Sequence, residues 1–349
     1  MRGSRYAALV VVVSGSLLAC ATAPGVESGR AAVGNSACLE HYGSASAAPS
    51  QSLNALPYFW TWMVDTCVFH GGHRLKWRDP RGARRRACVF IPSSAHRGHP
   101  LPLLVFLQGS VFPAELQARI TGFEESYPTA DLTGDPQRRG FILLVPEGRD
   151  TEHQYPFPDD SGLGWDNWHR DFDRRDPQLN ADAAAIDHFV GELRWRGIVD
   201  PSRIYLSGWS NGSAMAILYA LNTPEIAAAA VYSSPNPFHD FDDPCPQEPF
   251  GVNPLPVLHV HNACDTVGIC ASGERLKSDL GRLFPQETFR DVILDGEQAE
   301  ASSCRADCAR GTLRSYPVGS RYHLRWPDQW TQPMLEFLRD HPKGAAAAP

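Results

Sequence analysis

Ile204-Tyr-Leu-Ser-Gly-Trp-Ser-Asn-Gly-Ser-Ala-Met-Ala216 is the stretch whose reading decides the fold. Ile204 to Leu206 is apolar and reads as a short buried strand. Gly208-Trp209-Ser210-Asn211-Gly212 follows, a G-x-S-x-G pentapeptide, and Ser213 to Leu221 is rich in the strong helix formers Ala, Met and Leu. Strand, tight turn and helix form the setting in which this pentapeptide presents a serine nucleophile on a strained turn. The glycines on either side let strand and helix approach closely. The plainer reading is a helix N-cap serine. The pentapeptide alone is weak, and its flanks favour the nucleophile at Ser210.

Working outward, 349 residues suit one large α/β domain or two small ones, and 43% apolar residues suffice for a sizeable core. A net charge of −7 supplies no basic footprint, so no nucleic-acid partner is expected. At the N-terminus Arg2 and Arg5 precede the apolar stretch Tyr6–Leu18, too short for a membrane span but suited to a signal-peptide core. Leu17-Leu-Ala-Cys20 looks like a bacterial lipobox, which predicts lipid attachment at Cys20; Ala21-Thr-Ala23 is a competing cleavage site. Both predict an exported chain, either a membrane-anchored lipoprotein or a secreted or periplasmic protein, with membrane contact only through Cys20. The expected organisation is a signal peptide over 1–23, a small, polar tether over 24–55, one catalytic domain over 56–343 and a frayed alanine-rich tail over 344–349.

Nine cysteines are present, and without Cys20 an even set remains, as an exported disulfide protein would have. Cys264–Cys270 and Cys304–Cys308 are the short-range pairings the spacing suggests. Cys304-x-x-x-Cys308 is also half of a zinc spacing, but no matching second pair accompanies it, and no metal is expected.

Strands are expected at Trp60–Val68, Arg84–Pro92, Leu101–Leu107, Phe141–Val145, Ile226–Tyr232, Pro256–Val260, Phe289–Leu294 and Thr312–Tyr316. Helices are expected at Ala114–Ile120, Asn180–Leu193, Arg275–Phe284 and Gln329–Asp340. Asp200-Pro201 reads as the turn before the elbow strand, and Arg84-Arg-Arg86 as a solvated strand entrance. Continuous apolar runs alternating with helical segments indicate a mainly parallel sheet flanked by helices. Asp150–Arg175 is long, irregular, aromatic and acidic, and Pro235–Pro254 is a proline-rich excursion expected near the mouth of the site.

A serine hydroxyl needs a base within hydrogen-bond reach, and the base needs an orienting acid. Behind an elbow of this kind the acid and then the base follow in chain order. Asp265 suits the acid, just beyond the apolar strand Pro256–Val260; Asp240, Asp242 and Asp243 are its rivals. His323 suits the base, in a loop before the last helix. His259 and His261 alternate on one strand and read as packed or solvated structural residues, with no third metal ligand evident. The oxyanion of a tetrahedral intermediate needs two donors. The backbone N–H groups of Asn211 and Ser110 are the candidates, with Gly109 permitting the close turn.

Pro102-Leu-Leu-Val-Phe-Leu-Gln-Gly109, Trp165-Asp-Asn-Trp168, the block Val199–Ala216, the post-strand Asp265, and His323 with Trp326-Pro327 together resemble the polyhydroxybutyrate depolymerase and feruloyl esterase group of secreted α/β-hydrolases, the LpqC-like esterases. The resemblance spans roughly residues 84–338. It implies an α/β-hydrolase fold, carboxylic ester hydrolysis through an acyl-enzyme without metal or organic cofactor, and a triad of Ser210, Asp265 and His323. The chain departs from that group at Gln108, where histidine is frequent, at Tyr322, where glycine usually precedes the histidine, and at Ser213.

The implied substrate is a polymeric or bulky ester, of polyhydroxyalkanoate type or else a feruloyl or acetyl ester on plant polysaccharide. Trp165 and Trp168 are candidates for an aromatic wall along it, or else pack the long loop; Trp209 either lines the pocket or packs under the elbow. A catalytically degenerate, surface-anchored binding protein is the alternative from another class.

Overall fold

The computed structural model describes residues 66–79, 82, 84–110, 112–148, 164–167, 172, 174–175, 180–238, 248–265, 269–295, 299–304 and 322–344. Cys20, the signal and tether segments, Trp168, Asp240, Asp242, Asp243 and the strand expected at Thr312–Tyr316 lie outside them. The described residues all belong to one unit, Ser44–Pro349.

Leu101–Leu107 forms strand β3 with every residue buried, as a continuous apolar run requires. It pairs in parallel with β4 (Ile142–Pro146) on one side and with β5 (Val199–Trp209) on the other. Beyond β5 lie β6 (Ala228–Tyr232), β7 (Val257–Asn262) and β8 (Phe289–Asp295), all parallel. The edges are antiparallel: β1 (His73–Arg78) and β2 (Arg84–Phe90) beside β4, and the two-residue β9 (Ala299–Glu300) beside β8. The sheet runs β1-β2-β4-β3-β5-β6-β7-β8-β9.

Alternate residues of β3 point to opposite faces, and each face has its own core. Leu101, Leu103, Val105 and Leu107 pack with α4 (Ala181–Trp195), α5 (Asn211–Leu221) and Leu276 and Leu280 of α6 (Ile269–Leu283). Leu104 and Phe106 pack with α2 (Ala114–Ile120), α3 (Phe123–Ser126) and α7 (Thr331–Asp340). The mainly parallel sheet flanked by helices is thus present as expected.

Several local expectations are corrected. Thr66–Phe69 is a turn of helix, α1, not strand, held to β2 by the Cys67–Cys88 disulfide. Asp200-Pro201 lies inside β5, not in a turn. The Asp200 carboxylate accepts from Ser202 N at 3.0 Å, a local bond that resembles a turn, and the β3–β5 register shifts there. Arg84 is exposed, but Arg85 is buried between Asp79 (2.7 Å) and Asp182 (2.6 Å), and Arg86 pairs with Glu147 (3.0 Å). The triple arginine is therefore mostly an ion-pair ladder and not a solvated entrance.

The short-range disulfide pairings are also wrong. Cys270, in the first turn of α6, pairs with Cys304 beyond β9, closing a loop across the sheet edge. Cys264 is disulfide-bonded to a cysteine outside the described residues. Cys264 ends the turn after β7 and Cys270 begins a helix, so their closeness in sequence does not make them partners.

Candidate active site

β5 ends at Trp209 and α5 begins at Asn211, leaving Ser210 alone to turn the chain. It does so at φ 55° and ψ −123°, a conformation that costs a non-glycine residue about 1–3 kcal/mol. The strain is held by the backbone: Ser210 N donates to Tyr232 O at 3.0 Å, and Ser213 Oγ donates to the same carbonyl at 2.7 Å. The elbow glycines are a matter of space. A Cβ at Gly212 would lie 2.2 Å from Gln108 O, and one at Gly208 would lie 2.5 Å from Gly212 O.

This turn aims the Ser210 hydroxyl at His323, whose Nε2 is 2.8 Å away. His323 Nδ1 lies 2.8 Å from Asp265 Oδ2. Asp265 is buried just after β7, His323 is nearly buried, and Ser210 is partly exposed, so the line of groups opens to solvent at the hydroxyl. The structure thus brings together the three residues singled out from sequence. Ser210 and Asp265 stand beyond the C-terminal ends of β5 and β7, where open α/β sheets bind ligands, and His323 faces them from a helical segment, not from the loop expected.

The oxyanion candidates flank the serine. Asn211 is the first residue of α5, so its N–H belongs to the helix end that favours negative charge. Gly109 lies against the elbow; a Cβ there would be 3.3 Å from Ser210 Cβ, and its N–H donates to Gln117 Oε1. Ser110 follows at the mouth of the same turn. Gln108 is buried, its amide nitrogen 3.2 Å from Pro146 O and its oxygen accepting from Gly148 N at 3.0 Å. That side chain spans two strand ends and does not reach towards Ser210.

For two of the three tryptophans the structure selects the packing alternative; Trp168 lies outside the described residues. Trp165 is fully buried, its Nε1 donating to Gln108 O at 2.8 Å and its ring filling the space left by Gly148. It packs the loop instead of walling a substrate. The Asn211 side chain holds it there, accepting from Trp165 N at 2.9 Å. Asp166 N donates to Asp182, and Asn180 Nδ2 donates to Asp166 O, so Trp165-Asp-Asn167 is a buttress tied to the elbow helix and to α4. Trp209 is also buried. Its Nε1 donates to His323 O at 2.9 Å, and its ring packs on Trp326 and Tyr232. It lies beneath the elbow, not in a pocket.

Sequence reading missed two features. Ser233, after β6, reaches both Asp265 and His323 Nδ1. The third partner for His259 and His261 also exists: Asp291 on β8, 3.1 Å from His259 Nδ1 and 3.0 Å from His261 Nε2. The two rings stack with centroids 4.4 Å apart. These three side chains have the donor types of a metal site. Yet His259 Nε2 accepts from Ser234 N at 3.1 Å, which places the ring proton on Nδ1, where it donates to Asp291. The tautomer demanded by the backbone is one that cannot ligate through Nδ1. Burial first, and then the charge of His261, push the His259 pKa down to about 4, so the ring is neutral at pH 7.

The chain matches no protein-family model. It is 25% identical over 193 residues to the bifunctional acetylxylan esterase/xylanase XynS20E of Neocallimastix patriciarum. That match covers 55% of this chain and 23% of the relative, so the chain spans about a quarter of the relative's length. Among solved structures, a thermostable esterase superposes with a TM-score of 0.50 at 17% identity, over 78% of this chain and 63% of the other. The protein pOPH superposes with a TM-score of 0.52 at 17% identity, over 78% and 88%. The fold is that of the α/β-hydrolases.

Proposed function

We propose that this protein is an exported serine esterase that hydrolyses carboxylic esters through an acyl-enzyme. The observation that carries the reading is the line Ser210 Oγ–His323 Nε2 and His323 Nδ1–Asp265, built on a strained elbow. Ser210 is the nucleophile. As it attacks the ester carbonyl, His323 takes its proton, and Asp265 stabilises the resulting imidazolium and holds the tautomer. The N–H groups of Asn211 and Ser110 are the proposed donors to the oxyanion. The imidazolium then protonates the leaving alcohol, and water activated by the same base releases the acid.

The sequence resemblance favours a polyhydroxyalkanoate-type polymer, with a feruloyl ester on polysaccharide as its alternative, and the likeness to an acetylxylan esterase favours an acetyl group on polysaccharide. Turnover of a polyhydroxybutyrate film, acetylated xylan and a feruloylated oligosaccharide, compared at equal enzyme concentration, separates them. Preference for the film supports the first, and preference for either saccharide ester replaces it with the second. Disulfides within the described residues are in keeping with export. Metabolic labelling with a palmitate analogue tests the anchor at Cys20; an exported but unlabelled protein would remove it.

A further inference from the structure

Among the described residues, Ser210 and Ser233 alone combine a side chain with positive φ. Ser233 sits one residue beyond β6 at φ 56° and is fully buried. Its turn is clamped from two sides. Ser233 N donates to Val260 O at 2.7 Å, and the next amide, Ser234 N, donates to His259 Nε2. His259 is itself fixed by Asp291, and Gly273 of α6 leaves room for its ring, since a Cβ there would lie 2.5 Å from Cε1. The result is that Ser233 Oγ donates to Asp265 Oδ2 and lies 3.1 Å from His323 Nδ1.

A backbone position at φ near 56° is filled at least strain by glycine. Serine accepts that strain and adds a hydroxyl, and the hydroxyl is placed on the one carboxylate oxygen that His323 also uses. We infer that Ser233 is a positioning residue for the proposed ester hydrolysis, acting through Asp265 by fixing its carboxylate and sharing the charge on Oδ2. The inference rests on the esterase reading of Ser210. Its chemistry follows from the acceptor. With the hydroxyl present, Oδ2 is shared between two donors, which resist its rotation away from the imidazole. Without it, the carboxylate turns more freely, which lowers the rate.

The test uses the full chain with Ser233→Ala and Ser233→Gly, together with wild type and Ser210→Ala. Reaction of Ser210 with a fluorophosphonate probe and hydrolysis of p-nitrophenyl acetate are followed from pH 5 to 9. The expected result is a kcat about tenfold lower in both Ser233 variants, the size of one hydrogen bond to a charged group, with KM within about twofold. The glycine variant should melt no lower than the alanine one. A glycine variant with wild-type kcat would overturn the inference, because the residue would then supply backbone shape alone. A glycine variant that fails to fold would overturn it too, making Ser233 purely structural. Wild type unreactive towards the probe, or a reactive Ser210→Ala, would instead sink the serine-nucleophile reading itself, and is read from different proteins.

Discussion

Trp209 Nε1 donates to the backbone oxygen of His323 at 2.9 Å, so the residue before the elbow serine holds the segment that carries its partner imidazole. Trp209→Phe keeps the packing on Trp326 and Tyr232 but removes this bond. A neutral hydrogen bond of about 0.5–1.5 kcal/mol translates into a kcat lowered roughly threefold to tenfold. KM should stay within about twofold, since the ring is buried and does not meet substrate. Steady-state kinetics on p-nitrophenyl acetate checks this; a large rise in KM with kcat unchanged would return Trp209 to the substrate pocket.

Arg85 lies buried between Asp79 and Asp182, and Asp182 in turn accepts from the amide of Asp166 beside Trp165. Arg85→Ala would leave two buried carboxylates without their cation, at a cost of about 3–5 kcal/mol. Urea unfolding should show that loss. A change under about 1 kcal/mol would mean the pair is solvated.

Gly212→Ala should cost about 3 kcal/mol or more, because the added carbon meets backbone oxygens of Gln108 and Leu107 that cannot rotate aside. Gly191→Ala, where nothing lies within 4 Å, is the control and should be neutral or slightly stabilising. Thermal melts of the pair decide it, and equal melting temperatures would contradict the packing described for the elbow.

His259 is held neutral, its pKa lowered to about 4 from the ordinary 6.5 by burial and then by His261. The unfolded chain therefore binds more protons between those values, and stability rises with pH across that window. Stability should fall by about 3 kcal/mol as pH drops from 6.5 to 4 from this group alone. Asp291 adds its own loss below about pH 4, because hydrogen bonds from both imidazoles hold it under the usual carboxylate range although burial works to raise it. Urea melts of wild type and His259→Gln check the sign. The variant should be less stable at pH 7 but flatter with pH, and parallel curves would contradict the assignment.

The central sheet and the elbow were legible because their signals are local. β3 is a continuous apolar run, and Gly208 and Gly212 mark the close approach that the structure measures. Ser210, His323 and Asp265 were legible through chain order around that elbow. β1 was not, because His73-Arg-Leu-Lys-Trp-Arg78 is an edge strand whose charged residues find partners only in the folded sheet, as Arg74 does with Glu147 at 3.4 Å. For Trp165 the sequence left a substrate wall and loop packing both open, because an aromatic loop residue suits either; Gly148 and the Asn211 side chain, far along the chain, make the buried seat that selects packing. Ser233 left no trace, since a serine after a strand has no pattern and its importance depends on contacts with residues far along the chain. The Cys270–Cys304 bond was hidden for the same reason.

The most direct measurement is hydrolysis of p-nitrophenyl acetate at neutral pH by wild type and by Ser210→Ala, with both shown to be folded. The account predicts measurable turnover by wild type and a drop of at least about 10³-fold in kcat for the variant. An inert wild type, or a Ser210→Ala protein that keeps its full activity, would contradict it.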